Sequence, residues 1–175
     1  VDTAGFPKDS YHVFQAEWTD VKKEPMVHLY PYWDFNEGQL IDVRACTNGA
    51  KVELFVNGES KGVHTIDHKH GKELIGTWQV EYEPGEIMAV AYDEAGTEIA
   101  RESRHSFKDA VKIVAEADKS VLTAGTSQLS FVEISVLDDD GYPVENAMNY
   151  VQVATEGPIR LLGLDNGDST DYDPY

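Results

Sequence analysis

The stretch KVELFVNG, Lys51–Gly58, constrains the fold more than any other. Val52, Leu54 and Val56 alternate with Lys51, Glu53 and Phe55, which places one set on each face of an extended strand. Asn57-Gly58 follows at once, and this dipeptide between alternating runs specifies a two-residue hairpin, because a type I′ turn needs positive φ at both central positions. The same alternation recurs in QLIDVRACT through Ile41, Val43 and Ala45, in TWQVEY through Trp78, Val80 and Tyr82, and in EIMAVAY. Pro84-Gly85 and Asp93 to Gly96 punctuate the later runs as turns.

Short strands spaced by turns at intervals of about ten residues describe an antiparallel sandwich of the immunoglobulin-like type. We place it at residues 25–107. A second series, VKIVAEA, LSFVEISVLDDDG, YVQVAT and IRLLGL, gives about four strands against the usual seven or so. It is expected to be a second, incomplete β-sandwich over residues 108–175. The fold class is therefore mainly β. One helix precedes it: in DSYHVFQAEW, Asp9–Trp18, the residues Tyr11, Phe14 and Trp18 share a face that calls for a partner, and Pro7 and Asp9 mark its start.

Charge excludes several roles. Thirty-two acids against 14 basic residues give a net charge of −18, which repels nucleic acid and anionic membrane, so neither is expected as a partner. Cys46 is the sole cysteine, so no internal disulfide can form. The opening VDTAGFPKDS lacks the basic start and apolar core of a secretory signal, and no apolar run approaches the length of a membrane span. A soluble chain of unassigned compartment is expected, and its opening reads like the interior of a longer gene product.

GFPKDSYHVFQAEW, HLYPYWDF, TNGAKVELFVNGESKG and GPIRLLGLDNGD, in that order, resemble the region following the catalytic barrel in β-galactosidase-type enzymes of glycoside hydrolase family 2. VELFVNGESKG and IRLLGLDNGD are the most specific pieces. The resemblance implies that residues 1–24 are the last barrel helix and a linker, and that two non-catalytic sandwiches follow. It also implies a parent that hydrolyses O-glycosidic bonds by a retaining mechanism, with two glutamates about 5 Å apart, the acid/base one after an asparagine. Asn36-Glu37 is the sole Asn-Glu dipeptide, yet it precedes Gly38 in a turn context with no barrel strand beneath it. No catalytic residue is assigned, and no P-loop or dinucleotide fingerprint calls for a cofactor. The fragment alone is expected to be inactive, with the parent's barrel as its partner and self-association as a second route to covering its surfaces.

Four stretches remain. YPYWDF concentrates Tyr30, Tyr32, Trp33 and Phe35, rings suited either to packing at a domain junction or to stacking on pyranose faces, with Asp34 and Asn36 as hydrogen-bonding neighbours. The second use would make a free carbohydrate-binding or adhesion module. HTIDHKH offers His64, Asp67, His68 and His70, ligand types for Zn²⁺ or Ni²⁺, but with no second ligand group at a recognisable metal spacing a solvated hairpin loop is the better account of them. LDNGDSTDYD carries Asp165, Asp168, Asp171 and Asp173 without the EF-hand order of calcium loops, and DDDG at Asp138 to Gly141 reads as a β-turn.

Overall fold

The computed structural model describes residues 1–168 and 170. The chain divides into two compact units, built from Val1–Ser106 and Phe107–Asn166.

The first unit opens with helix α1 (Asp9–Trp18) and continues through strands β1 (Val27–Tyr30), β2 (Leu40–Thr47), β3 (Lys51–Val56), β4 (Glu59–Thr65), β5 (Ile75–Glu81), β6 (Glu86–Tyr92) and β7 (Glu98–His105). They form two antiparallel sheets, ordered β1-β2-β5 and β4-β3-β6-β7. This is the immunoglobulin-like sandwich that the alternation called for. Period-two patterning decides what is inside: Ile41, Val43 and Ala45 from β2 meet Val52, Leu54 and Val56 from β3, with Trp78, Val80, Ile87 and Ala89 completing one core.

Asn57 and Gly58 take φ values of 50° and 81°, and Val56 pairs with Glu59 across them. The turn is also tied to the next one, because Asn57 Oδ1 accepts from Glu86 N at 2.9 Å and its Nδ2 donates to Pro84 O. Gly76 on β5 serves close approach: a Cβ there would lie 2.5 Å from the Trp78 ring and 2.9 Å from Val52 Cγ1.

Helix α1 has the expected bounds but an unexpected orientation. Lys8 occupies the N-cap without a side-chain bond. Only Ala16 is buried, while Tyr11, Phe14 and Trp18 face solvent. Polar ties hold the helix and the linker after it. Asn48 donates to Thr19 Oγ1 and Glu24 O and accepts from Met26 N.

The second unit contains β8 (Lys112–Ala117) paired antiparallel with β9 (Val132–Leu137). Strands expected at YVQVAT and IRLLGL are not formed, because no sheet offers them a ladder to join and their alternation alone cannot satisfy backbone hydrogen bonds. The DDDG turn is present, closed by Gly141 N donating to Asp138 O. Among the described residues, no helix is long and apolar enough to cross a membrane.

Candidate functional site

The aromatic stretch closes one end of the first sandwich. Residue Trp33 is fully buried, its Nε1 donates to Glu83 O at 3.2 Å, and its ring meets Tyr82 edge-on at 5.1 Å. Tyr82 in turn reaches Asp34 Oδ1 at 3.4 Å and Ser106 Oγ at 2.7 Å, while Ser106 N donates to Gly85 O and Ser106 Oγ accepts from Gly85 N. The cluster therefore joins the entry to β2, the β5–β6 turn and the end of β7. Burying an indole of this size stabilises by about 2–3 kcal/mol, which makes packing the dominant role of Trp33. Tyr32 and Phe35 stack in parallel at 5.2 Å and remain half-buried. Tyr30 lies apart from them, in ring contact with His28 at 5.5 Å, and burial first of all pushes its phenol up to about 12. Glu37 is exposed in the turn before β2, where Gln39 N donates to Asn36 O.

The HTIDHKH residues point in different directions. His64 packs its ring edge-on against Trp78 at 4.7 Å. Asp67 and His70 pair with each other at 2.9 Å. His68 spans Glu17 of α1, at 2.8 Å, and the Gly49 carbonyl, at 2.9 Å. The loop thus works as a strap over α1, with two of its four groups brought together.

Among the described residues, Asp138, Asp139 and Asp140 bring one carboxylate oxygen each within 4.8 Å of one another, close enough to share a metal ion. Asp138 is buried and accepts from the backbone amides of Lys108, Asp140 and Tyr142. Those amides, Lys108's first, hold its carboxyl below the usual aspartate range against the cost of burial. The Lys108 ammonium sits 3.0 Å from Asp139 and 2.8 Å from Asp140, so the cluster carries its own cation. Asp165 and Asp168 are exposed. Asp171 and Asp173 lie outside the described residues.

A polar cluster that the sequence did not announce centres on His28 of β1. Its nitrogens face Asp9 of α1 at 3.0 Å and Glu102 of β7 at 3.4 Å, and Arg104 donates to both Glu102 and the Leu29 carbonyl. No local motif could have found it, because its members come from the start, middle and end of the unit. The one signal is His28 itself, a titratable side chain set between Val27 and Leu29 on the face of β1 opposite to those two core residues.

Comparison with known proteins places these features. Residues 38–100 match a domain of unknown function (DUF4982), and residues 113–175 match glycoside hydrolase family 2 C-terminal domain 5. The beta-galactosidase BoGH2A of Bacteroides ovatus is 38% identical over 176 residues, covering 100% of this chain and 20% of that enzyme. A putative beta-glucuronidase of Formosa agariphila is 30% identical over 98% of this chain and 16% of its own length. Among solved structures, a beta-glycosidase from Bacteroides vulgatus superposes with a TM-score of 0.74 and 33% identity, over 82% of this chain and 18% of that one. The chain thus spans a fifth or less of the curated relatives it matches.

A β-sandwich with an inward-turned aromatic cluster, followed in the chain by a second unit built on a two-stranded ribbon, defines an accessory β region. The chain is a non-catalytic, C-terminal-type region of glycoside hydrolase family 2. In the relatives it matches, the corresponding region makes up a fifth or less of a much larger enzyme.

Proposed function

We propose that this region braces the catalytic barrel of a retaining glycosidase of the β-galactosidase type, with residues 1–24 forming the junction and residues 25–107 and 108–175 the two accessory domains. The observation that carries the reading is the divided surface of α1. Its sandwich side is tied by Asp9–His28 and Glu17–His68, while Tyr11, Phe14 and Trp18 turn outward, with Trp18 79% exposed. An apolar helical face of this kind is stabilised only by burial against something else, and the catalytic region is the neighbour that the relatives supply.

The test compares Phe14→Ser/Trp18→Ser in the full-length parent with the same double substitution in this chain. In the parent the catalytic region should lose about 2–4 kcal/mol of stability, and in the chain alone the melting temperature should hardly move. Equal shifts in both would remove the bracing role. The chain alone should release no chromophore from aryl β-galactosides or β-glucuronides, and turnover abolished by Glu37→Gln would reverse the assignment.

A second reading rests on the half-buried, parallel Tyr32–Phe35 pair, which could stack on a pyranose. It makes the chain a carbohydrate-binding module. Titration calorimetry with galactose and lactose separates the two: the bracing role predicts no saturable heat. A millimolar or tighter response lost in Tyr32→Ala, with the fold intact, would favour the module.

A further inference from the structure

The ring of His28 lies where α1 crosses β1, with an acceptor at each nitrogen. Nε2 is 3.0 Å from Asp9 Oδ1, and Nδ1 is 3.4 Å from Glu102 Oε2. A neutral imidazole has one N–H and one lone pair, so it can satisfy only one of these carboxylates. Only the imidazolium donates to both.

We propose that His28 is a proton-operated latch for α1: as imidazolium it clamps Asp9 of the helix and Glu102 of β7 together, and on losing its proton it releases the helix end.

The groups around the ring come from α1, β1, β2 and β7. From α1, His12 stacks on the His28 ring at 3.9 Å and directs its Nδ1 to Gln15 Oε1. From β7, Arg104 donates to Glu102 Oε1 at 3.2 Å, and Leu29 N donates to Glu102 Oε2, so Glu102 is anchored independently of His28. Tyr30 flanks the ring on β1, and Cys46 stands opposite it on β2. Both are uncharged in the neutral range, since burial first of all pushes each up to about 12. Among the described residues Asp9 has no second side-chain anchor of this kind, and its side chain is 58% exposed. When the Nε2 proton leaves to water, the exposed lone pair faces the Asp9 carboxylate, and the helix side of the clamp gives way. Little apolar packing resists at this end, because α1 buries only Ala16, while Glu17–His68 holds the far end of the helix.

The direction of titration agrees. Burial disfavours charge on His28, yet its hydrogen bonds to Glu102 and Asp9, with the Glu102 charge, outweigh burial and the repulsion from Arg104, raising the pKa above 6.5. For Glu102, burial acts upward, but the bonds and charges of His28 and Arg104 hold it below 4.5. A group whose folded value is raised contributes fully below its unfolded value and loses the contribution as pH rises through the folded one. The latch is therefore closed in mildly acidic solution, opens on the alkaline side above the ordinary histidine value, and fails in strong acid as Glu102 protonates. This holds whether or not α1 also braces a catalytic region.

Hydrogen exchange of the 175-residue chain, corrected for intrinsic rates, reads the latch directly. Between about pH 6 and pH 9, protection of the Asp9–Trp18 amides should fall by about tenfold while β2 and β3 stay constant. His28→Gln should give low protection without the step, and His12→Gln should keep it. A wild-type helix with no step, or the same step in His28→Gln, overturns the proposal. Should His28→Gln not fold, ¹⁵N titration of the unmodified imidazole substitutes: its midpoint should coincide with the loosening of α1, and a midpoint elsewhere overturns the latch equally.

Discussion

The two units have similar alternating sequences and opposite interiors. In the first, Leu29, Trp33, Val43, Val52 and Leu54 are fully buried between two facing sheets. In the second, β8 and β9 form a ribbon whose Ile113, Val132 and neighbouring Phe131 are exposed, and among its described residues the buried side chain is a carboxylate, Asp138. Alternation sorts side chains onto two faces. It stabilises nothing until a second sheet covers one of them, and a lone two-stranded ribbon is marginal in water. The first unit is held by its core, the second by its turn.

The difference can be broken most forcefully by truncating matched aliphatic residues. Leu54→Ala should cost the first unit about 3–5 kcal/mol, a lost transfer contribution plus a cavity between well-packed sheets. Ile113→Ala in β8 should change stability by less than about 0.5 kcal/mol. Urea unfolding of both variants decides the matter, and comparable losses would mean that β8 and β9 have a covered core of their own. Next in size is Asn57→Val. It forces a β-branched residue to positive φ and removes the bonds to Glu86 and Pro84, for an expected loss of about 1–3 kcal/mol by thermal unfolding. Asn57→Asp, which tolerates the conformation, should cost less.

How much of this was legible beforehand follows the same division. β3, its Asn-Gly turn and the strands of the first sandwich could be read because each local preference agreed with the global fold. Helix α1 was legible in extent but not in orientation: Tyr11, Phe14 and Trp18 define an apolar face without saying what covers it. Trp33 was legible as a packing residue, whereas the His28 cluster was not, since Asp9 and Glu102 meet it only through topology. HTIDHKH looked like one ligand set, but its residues diverge because alternate positions of a strand end and a turn point to opposite sides. YVQVAT and IRLLGL show the converse failure, a strand pattern with no sheet to join.

Acid should sharpen the contrast at a smaller scale. Asp138 is held below the usual aspartate range by the backbone amides it accepts from, so its contribution is complete above about pH 4 and disappears as pH falls through the lowered value. Amide exchange around Lys108 and Tyr142 should therefore rise in strong acid, and Asp138→Asn should show that loosening already at neutral pH. The hairpin at Asn57-Gly58, which has no titrating clamp, should not respond. A simultaneous response of both turns would mean that they belong to one cooperative unit.

The smallest effect expected is intermolecular, and it tests whether the open surface of the second unit is a liability. The β8–β9 ribbon is a two-stranded sheet with exposed apolar side chains, Ile113 and Val132 among them, which invite association with another copy. Against this stands the charge: after Lys108, thirteen acids accompany three basic residues. Repulsion between two such surfaces acts over about 10 Å at 0.1 M salt and over about 3 Å at 1 M. Apolar contact is not weakened by simple salts, so the balance should move toward association as ionic strength rises. Light scattering over a concentration and salt series should show weak self-association that strengthens with salt. Phe131→Lys and Ile113→Lys should abolish it without lowering the melting temperature of the first unit. Association that weakens with salt would instead place the contact on complementary charges, and the first unit, where Lys and Arg residues are more frequent, would become the surface to mutate.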